Sequence, residues 1–161
     1  KLGVANAVLA VEETDVYLDL RAIADKKLDG AVVRRAAAAF LAKLPDVALA
    51  MARDDLASVE AAGFGAALRH GWYPERSGDV VMVLKPVHVL ESEPRGTSHG
   101  TPYSYDSEVP LLLAGKGVRS GVFPVPVRAI DVAPTLAALL ELGTPASCEG
   151  RAVSDVLSLG K

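Results

Sequence analysis

The chain has one cysteine, Cys148, in 161 residues. An intrachain disulfide is therefore excluded, and so is any zinc site built from several thiolates. Cys148 reads as a small buried or loop thiol rather than a nucleophile. Aromatic residues make up only 5% of the chain, so its core has to be assembled from valine, leucine and alanine. Lys and Arg number 17 against 20 Asp and Glu, and they form no cluster. Without a concentrated cationic face, neither nucleic acid nor a membrane is expected as a partner. No apolar run reaches the roughly 18–20 residues needed to cross a bilayer. No signal-peptide pattern opens the sequence. It begins at Lys1 in structured-looking sequence, as a processed product or an excised piece would.

What is present suffices for a core. The chain is 50% hydrophobic, and its length fits a single domain, 1–161, since domains run about 100–200 residues. Two strand-like runs, Ala5–Val11 and Asp15–Leu20, flank the polar break Glu12-Glu13-Thr14. Val16, Leu18 and Leu20 alternate with Tyr17 and Asp19, the period of a half-buried strand, so a hairpin is expected. Asp29 can cap the alanine-rich helix that runs on to Leu44 and stops at Pro45. On its face Val33, Ala37, Phe40 and Leu44 recur at helical spacing, which leaves Arg34, Arg35 and Lys43 to solvent. A short strand over Val47–Ala52 follows, then helical stretches over Asp54–Ala62 and Phe64–His70.

The run Asp79–Leu84 is almost continuously apolar, as in a strand covered on both faces. Val109–Ala114 forms another short apolar run, expected to be a strand. Asp131 reads as the N-cap of a closing helix that ends at Leu142 and Gly143, with Pro134 tolerated in its first turn. Strands alternating with helices indicate an α/β (or α+β) layered domain, whose hairpin makes the sheet mixed.

Between the last two strand candidates lies Gly96-Thr97-Ser98-His99-Gly100-Thr101-Pro102-Tyr103. It is polar, and a glycine follows the histidine directly. Loops at strand ends that allow close backbone approach are where binding residues concentrate. On spacing alone, a functional and a structural role for His99 stand equally open.

The run Gly96–Val118, GTSHGTPYSYDSEVPLLLAGKGV, resembles the late metal-ligand loop of the alkaline phosphatase superfamily. The likeness is to its phosphodiesterase/nucleotide pyrophosphatase-like branch and that branch's phosphate-monoesterase relatives, through His99, Gly100, Thr101, Tyr103, Tyr105, Asp106, Val109, Pro110, Leu111 and Gly115. Two further blocks agree in order: Glu75–Asp79 leading into VVMVLKP, and Ile130–Leu140 with Glu149-Gly150-Arg151. The similarity covers about Arg69 to Leu157, and residues 1–52 stand outside it as a possible insertion or hairpin-helix region. The resemblance implies a carboxy-terminal part of an alkaline-phosphatase-like fold. It also implies two zinc ions in the parent enzyme that activate a Thr or Ser nucleophile and stabilise the leaving oxygen. By position, His99 is the one zinc ligand in this chain.

The family nucleophile and the adjacent Asp-His ligand pair have no counterpart here. The expectation is therefore a piece of a phosphomonoesterase or phosphodiesterase, inactive alone, with zinc bound weakly or not at all. Its partners would be the remaining amino-terminal part of the same enzyme and a phosphate-ester substrate. Its place would be the periplasm or the exterior, as in many relatives. The alternative is a stand-alone non-catalytic binding module with the same fold. His70 reads as a structural residue at a helix end, and His88 as a partly exposed strand residue or a neighbour of the metal loop. Asp106, Tyr103 and Tyr105 are expected to brace the loop. Thr97, Ser98 and Thr101 lack an acid or base at triad spacing.

Overall fold

The computed structural model describes residues 7–59, 64–90 and 96–158. The chain divides into two compact units, Lys1–Glu108 and Val109–Lys161. The first opens with the expected hairpin, β1 (Val8–Glu12) and β2 (Asp15–Leu18), joined at Glu13-Thr14. The expected start at Ala5 lies outside the described residues. Asp19 caps α1 (Leu20–Asp25) by accepting from the Ala22 amide at 2.9 Å. Asp29 caps α2 (Gly30–Leu41) as its sequence position implies, accepting from the amides of Ala31 and Val32 at 2.7 and 3.2 Å. Then come β3 (Val47–Ala52), a 3-10 helix (Arg53–Ser58), α3 (Phe64–Gly71) and β4 (Val80–Leu84). A single turn, α4 (Ser104–Ser107), closes the unit.

The strands form one sheet in the order β1-β2-β4-β3. The layered fold is as expected, but the sheet is not mixed: every pairing among the described residues is antiparallel. β2 and β3 run in the same direction, with α1 and α2 as their crossover. β4 occupies the slot between them, so no parallel ladder forms. That interior position explains its unbroken apolar sequence. Val80 is fully buried, and Met82, Val83 and Leu84 are buried beside it. Val16, Leu18, Val80, Met82 and Leu84 pack with Ile23 of α1 and with Val33 and Ala38 of α2, the main core.

The buried face of α2 differs from the one its apolar spacing suggests. Phe40 is 65% exposed, whereas Arg34 is only 9% exposed. Arg34 is drawn inward by carboxylates that lie distant in sequence. Its Nε and Nη2 donate to both oxygens of Asp54 at 2.6 and 2.7 Å. Its Nη1 lies 4.0 Å from Asp79, which also faces Arg53 at 3.2 Å. The other Asp79 oxygen accepts from the Leu18 amide at 2.9 Å, tying β2 to the start of β4. The Arg34 hydrogen bonds are the main cause holding the Asp54 carboxyl below its ordinary range.

The second unit is built on α5 (Val132–Leu139), entered through a 3-10 turn over Ala129–Asp131. Asp131 stands at the expected cap position, but its carboxylate bonds elsewhere. It accepts from the Arg128 amide and guanidinium and from the Arg151 amide, at 2.9–3.4 Å. The Thr135 hydroxyl donates to the Asp131 carbonyl and accepts from the Val153 amide, so the chain's tail is latched to the helix. Val109–Ala114 is not a strand. Pro110 offers no donor, and among the described residues no strand pairs with the segment. Val109 and Leu112 are left 69% and 88% exposed. Among the described residues no helix is long and apolar enough to cross a membrane.

Candidate functional site

The His99 loop is held at one point to the end of the central strand. The Tyr103 hydroxyl donates to the carbonyl of Leu84, the last residue of β4, at 2.8 Å. The Tyr103 ring stacks on Tyr105 and meets Phe64 of α3 edge-on, with ring centres 5.5 and 5.1 Å apart. Burial first, then the neighbouring Tyr105, pushes the Tyr103 phenol above its ordinary pKa. The phenol therefore stays a donor across the physiological range. The Tyr105 hydroxyl accepts from the Val87 amide at 3.1 Å, a second tie between the loop and the chain leaving β4.

Asp106 supplies the inner brace. One carboxylate oxygen accepts from both the amide and the hydroxyl of Thr101, at 2.9 and 2.6 Å. The Thr101 hydroxyl, then the Thr101 amide, hold the Asp106 carboxyl below its ordinary pKa, with a smaller contribution from His99. Gly100 lies between this brace and the histidine with φ of 92°, a conformation that side chains rarely adopt. The bracing expected of Asp106, Tyr103 and Tyr105 is thus present, and it leaves His99 exposed. Thr101 belongs to the brace, while Thr97 and Ser98 are exposed.

His99 lines a cleft of about 110 Å³ together with His88, Glu13, Thr14, Leu68 and Leu90. His88 lies beyond β4, not on it. Its ring is committed locally, with Nδ1 2.9 Å from the Pro86 carbonyl and Nε2 3.5 Å from Asp46. A second cavity of about 260 Å³ shares Thr14, Leu68 and Thr101 and extends toward Val81 and Trp72. Glu13 lines the first cavity and Thr14 lines both, because the Thr14 carbonyl accepts from the Met82 amide at 2.9 Å and so sets the β1–β2 turn beside β4. Their local sequence reads only as a polar break, so no sequence signal marks them. His70 is exposed at the end of α3, where a basic residue suits the carbonyl end of the helix. Cys148 is a half-buried turn thiol with Sγ 3.9 Å from the Gly150 carbonyl.

Zinc, which the resemblance implies, takes at least three protein ligands. Among the described residues, no three His, Cys, Asp or Glu side chains converge. The donor set on this loop is one imidazole, which does not by itself fit a zinc ion. No chemical step of this chain is therefore derived through the metal.

No protein-family model matches the chain. It is 30% identical over 158 residues to alkaline phosphatase PafA of Elizabethkingia meningoseptica, covering 98% of this chain and 29% of the relative. It is 38% identical over 81 residues to alkaline phosphatase PhoK of a Sphingomonas species, covering 48% of this chain and 14% of the relative. The crystal structure of wild-type PafA superposes with a TM-score of 0.86 at 29% identity, over 97% of this chain and 30% of that one. The chain thus spans less than a third of the length of these relatives. Its homologues are alkaline phosphatases and its fold matches a segment of one of them, which supports a place in the alkaline phosphatase superfamily.

Proposed function

We propose that this chain is the carboxy-terminal segment of a zinc-dependent phosphate-ester hydrolase and contributes His99 as one metal ligand. The observation that carries this reading is the posture of His99. It is exposed on a loop fixed by the Asp106–Thr101 and Tyr103–Leu84 hydrogen bonds, and no group of three His, Cys, Asp or Glu side chains forms around it among the described residues. A loop braced directly after an unshielded imidazole suits a ligand whose metal is completed by groups from elsewhere in the polypeptide. The His99–Gly115 pattern favours the phosphodiesterase/nucleotide pyrophosphatase-like branch, with a phosphomonoester or phosphodiester substrate. In this reading the rest of the enzyme supplies the nucleophile and the remaining ligands, and the enzyme acts in the periplasm or outside the cell.

The test is made in a full-length enzyme carrying this chain. His99→Ala should lower phosphate-ester turnover at least a hundredfold and reduce zinc bound per molecule, measured by metal analysis of the purified protein. Unchanged turnover would remove His99 from the site. The 161-residue chain alone should bind zinc only weakly by calorimetric titration. Nanomolar affinity at one zinc per chain would contradict the proposed division of ligands.

A further inference from the structure

Glu13 holds a left-handed backbone, φ 52°, in the two-residue turn between β1 and β2. Turns of this kind favour Gly, Asn or Asp, because a longer side chain is strained there. Strained positions concentrate where a site needs the side chain. Glu13 and Thr14 line the cleft that His99 also lines. Among the cleft's described lining residues, apart from its two histidines, Glu13 is the one that carries a formal charge. Leu68, Val89 and Leu90 make much of the remaining wall apolar.

A phosphoryl group carries about two negative charges near neutral pH, and beyond the metal proposed at His99 the cleft's described residues include no Lys or Arg to pair with it. An uncharged organic group suits the apolar wall. The volume, about 110 Å³, approaches the roughly 150 Å³ of an engineered apolar cavity that takes up benzene.

We propose that this cleft receives the alcohol moiety of the phosphate ester. It accepts small apolar or cationic groups, and Glu13 disfavours anionic ones. The proposal rests on the reading of His99 as a metal ligand, which would place the phosphoryl group at the cleft's rim.

The experiment uses the full-length enzyme and three matched esters: phenyl phosphate, 4-(aminomethyl)phenyl phosphate and 4-carboxyphenyl phosphate. The aminomethyl ester should have the highest kcat/KM and the carboxy ester the lowest. A single carboxylate near the ligand shifts binding of each unit charge roughly fivefold. Glu13→Gln should therefore shrink the aminomethyl-to-carboxy ratio roughly tenfold or more. Glu13→Gly should do the same while raising thermal stability, because it relieves the turn. Asp25→Asn, which removes an exposed carboxylate at the end of α1, should leave the ratio in place.

A ratio unmoved by both Glu13 variants, in an enzyme that hydrolyses all three esters, overturns the subsite and leaves the hydrolase reading standing. An equal shift with Asp25→Asn also overturns it, because a general surface field would then be the cause. Hydrolysis of none of the three, nor of any of their methyl diesters, by the parent enzyme, shown to be zinc-loaded by metal analysis, overturns both readings.

Discussion

At the scale of single residues, the charged groups divide into those that hold the fold and those that hold the loop. Arg34 belongs to the first. Its side chain is about 10% exposed and faces Asp54 and Asp79. Arg34→Ala leaves those carboxylates without their buried partner and should cost about 3 kcal/mol in denaturant unfolding. Replacing the bidentate pair together, Arg34→Met with Asp54→Leu, should recover most of the loss, since neither charge is then stranded.

Asp106 belongs to the second group. Its carboxyl is held below the ordinary range first by the Thr101 hydroxyl and then by the Thr101 amide. A carboxylate with a depressed pKa stabilises the folded loop fully above its unfolded value, near 4, and loses that contribution as pH falls through the lower folded value. The Thr101 amide resonance should therefore titrate with a midpoint below the ordinary carboxylate value, as followed by NMR. Under the proposed role of His99, Asp106→Asn in the full-length protein should weaken zinc binding tenfold or more, because groups that orient a ligating histidine typically contribute that much.

At the scale of elements, start signals were legible and pairing was not. Asp29 caps α2 as its position in the chain implies, and Asp29→Ala should cost about 1 kcal/mol in thermal unfolding. The uninterrupted apolar run of β4 correctly implied an interior strand. Val109–Ala114 carries a similar pattern yet forms no strand and stays mostly exposed, because apolar composition cannot supply a neighbouring ladder. Asp131 shows the same limit in a helix. Its cap position was readable, but its carboxylate turns to Arg128 and Arg151, and the second of these partners is remote in sequence. Beside that latch, Gly150 lies directly against the Ile130 carbonyl, where a Cβ has no room. Gly150→Ala should cost about 1–3 kcal/mol, as overpacking does, and should loosen the tail following it in hydrogen exchange.

At the scale of the whole molecule, apolar exposure is heaviest where regular structure is thinnest. In the second unit, Leu112 and Val122 are 88% and 95% exposed, and Leu140 and Leu142 are 67% and 63% exposed. Exposed apolar groups in such number mark surfaces that another part of a protein covers. The 161-residue chain alone should therefore bind a hydrophobic dye and self-associate in light scattering. A longer polypeptide that buries these side chains should do neither.

The sequence by itself determined the hairpin, the cap of α2, the interior strand and the loop that carries His99. Each is written in a few adjacent residues through periodicity, a capping side chain or a glycine-flanked motif. Only the tertiary structure decided that the sheet is antiparallel, that Arg34 is buried and that Val109–Ala114 finds no partner strand. It alone also brought the strained turn at Glu13 to the cleft beside His99. These outcomes depend on contacts between residues tens of positions apart, and local pattern carries no record of which distant group will arrive.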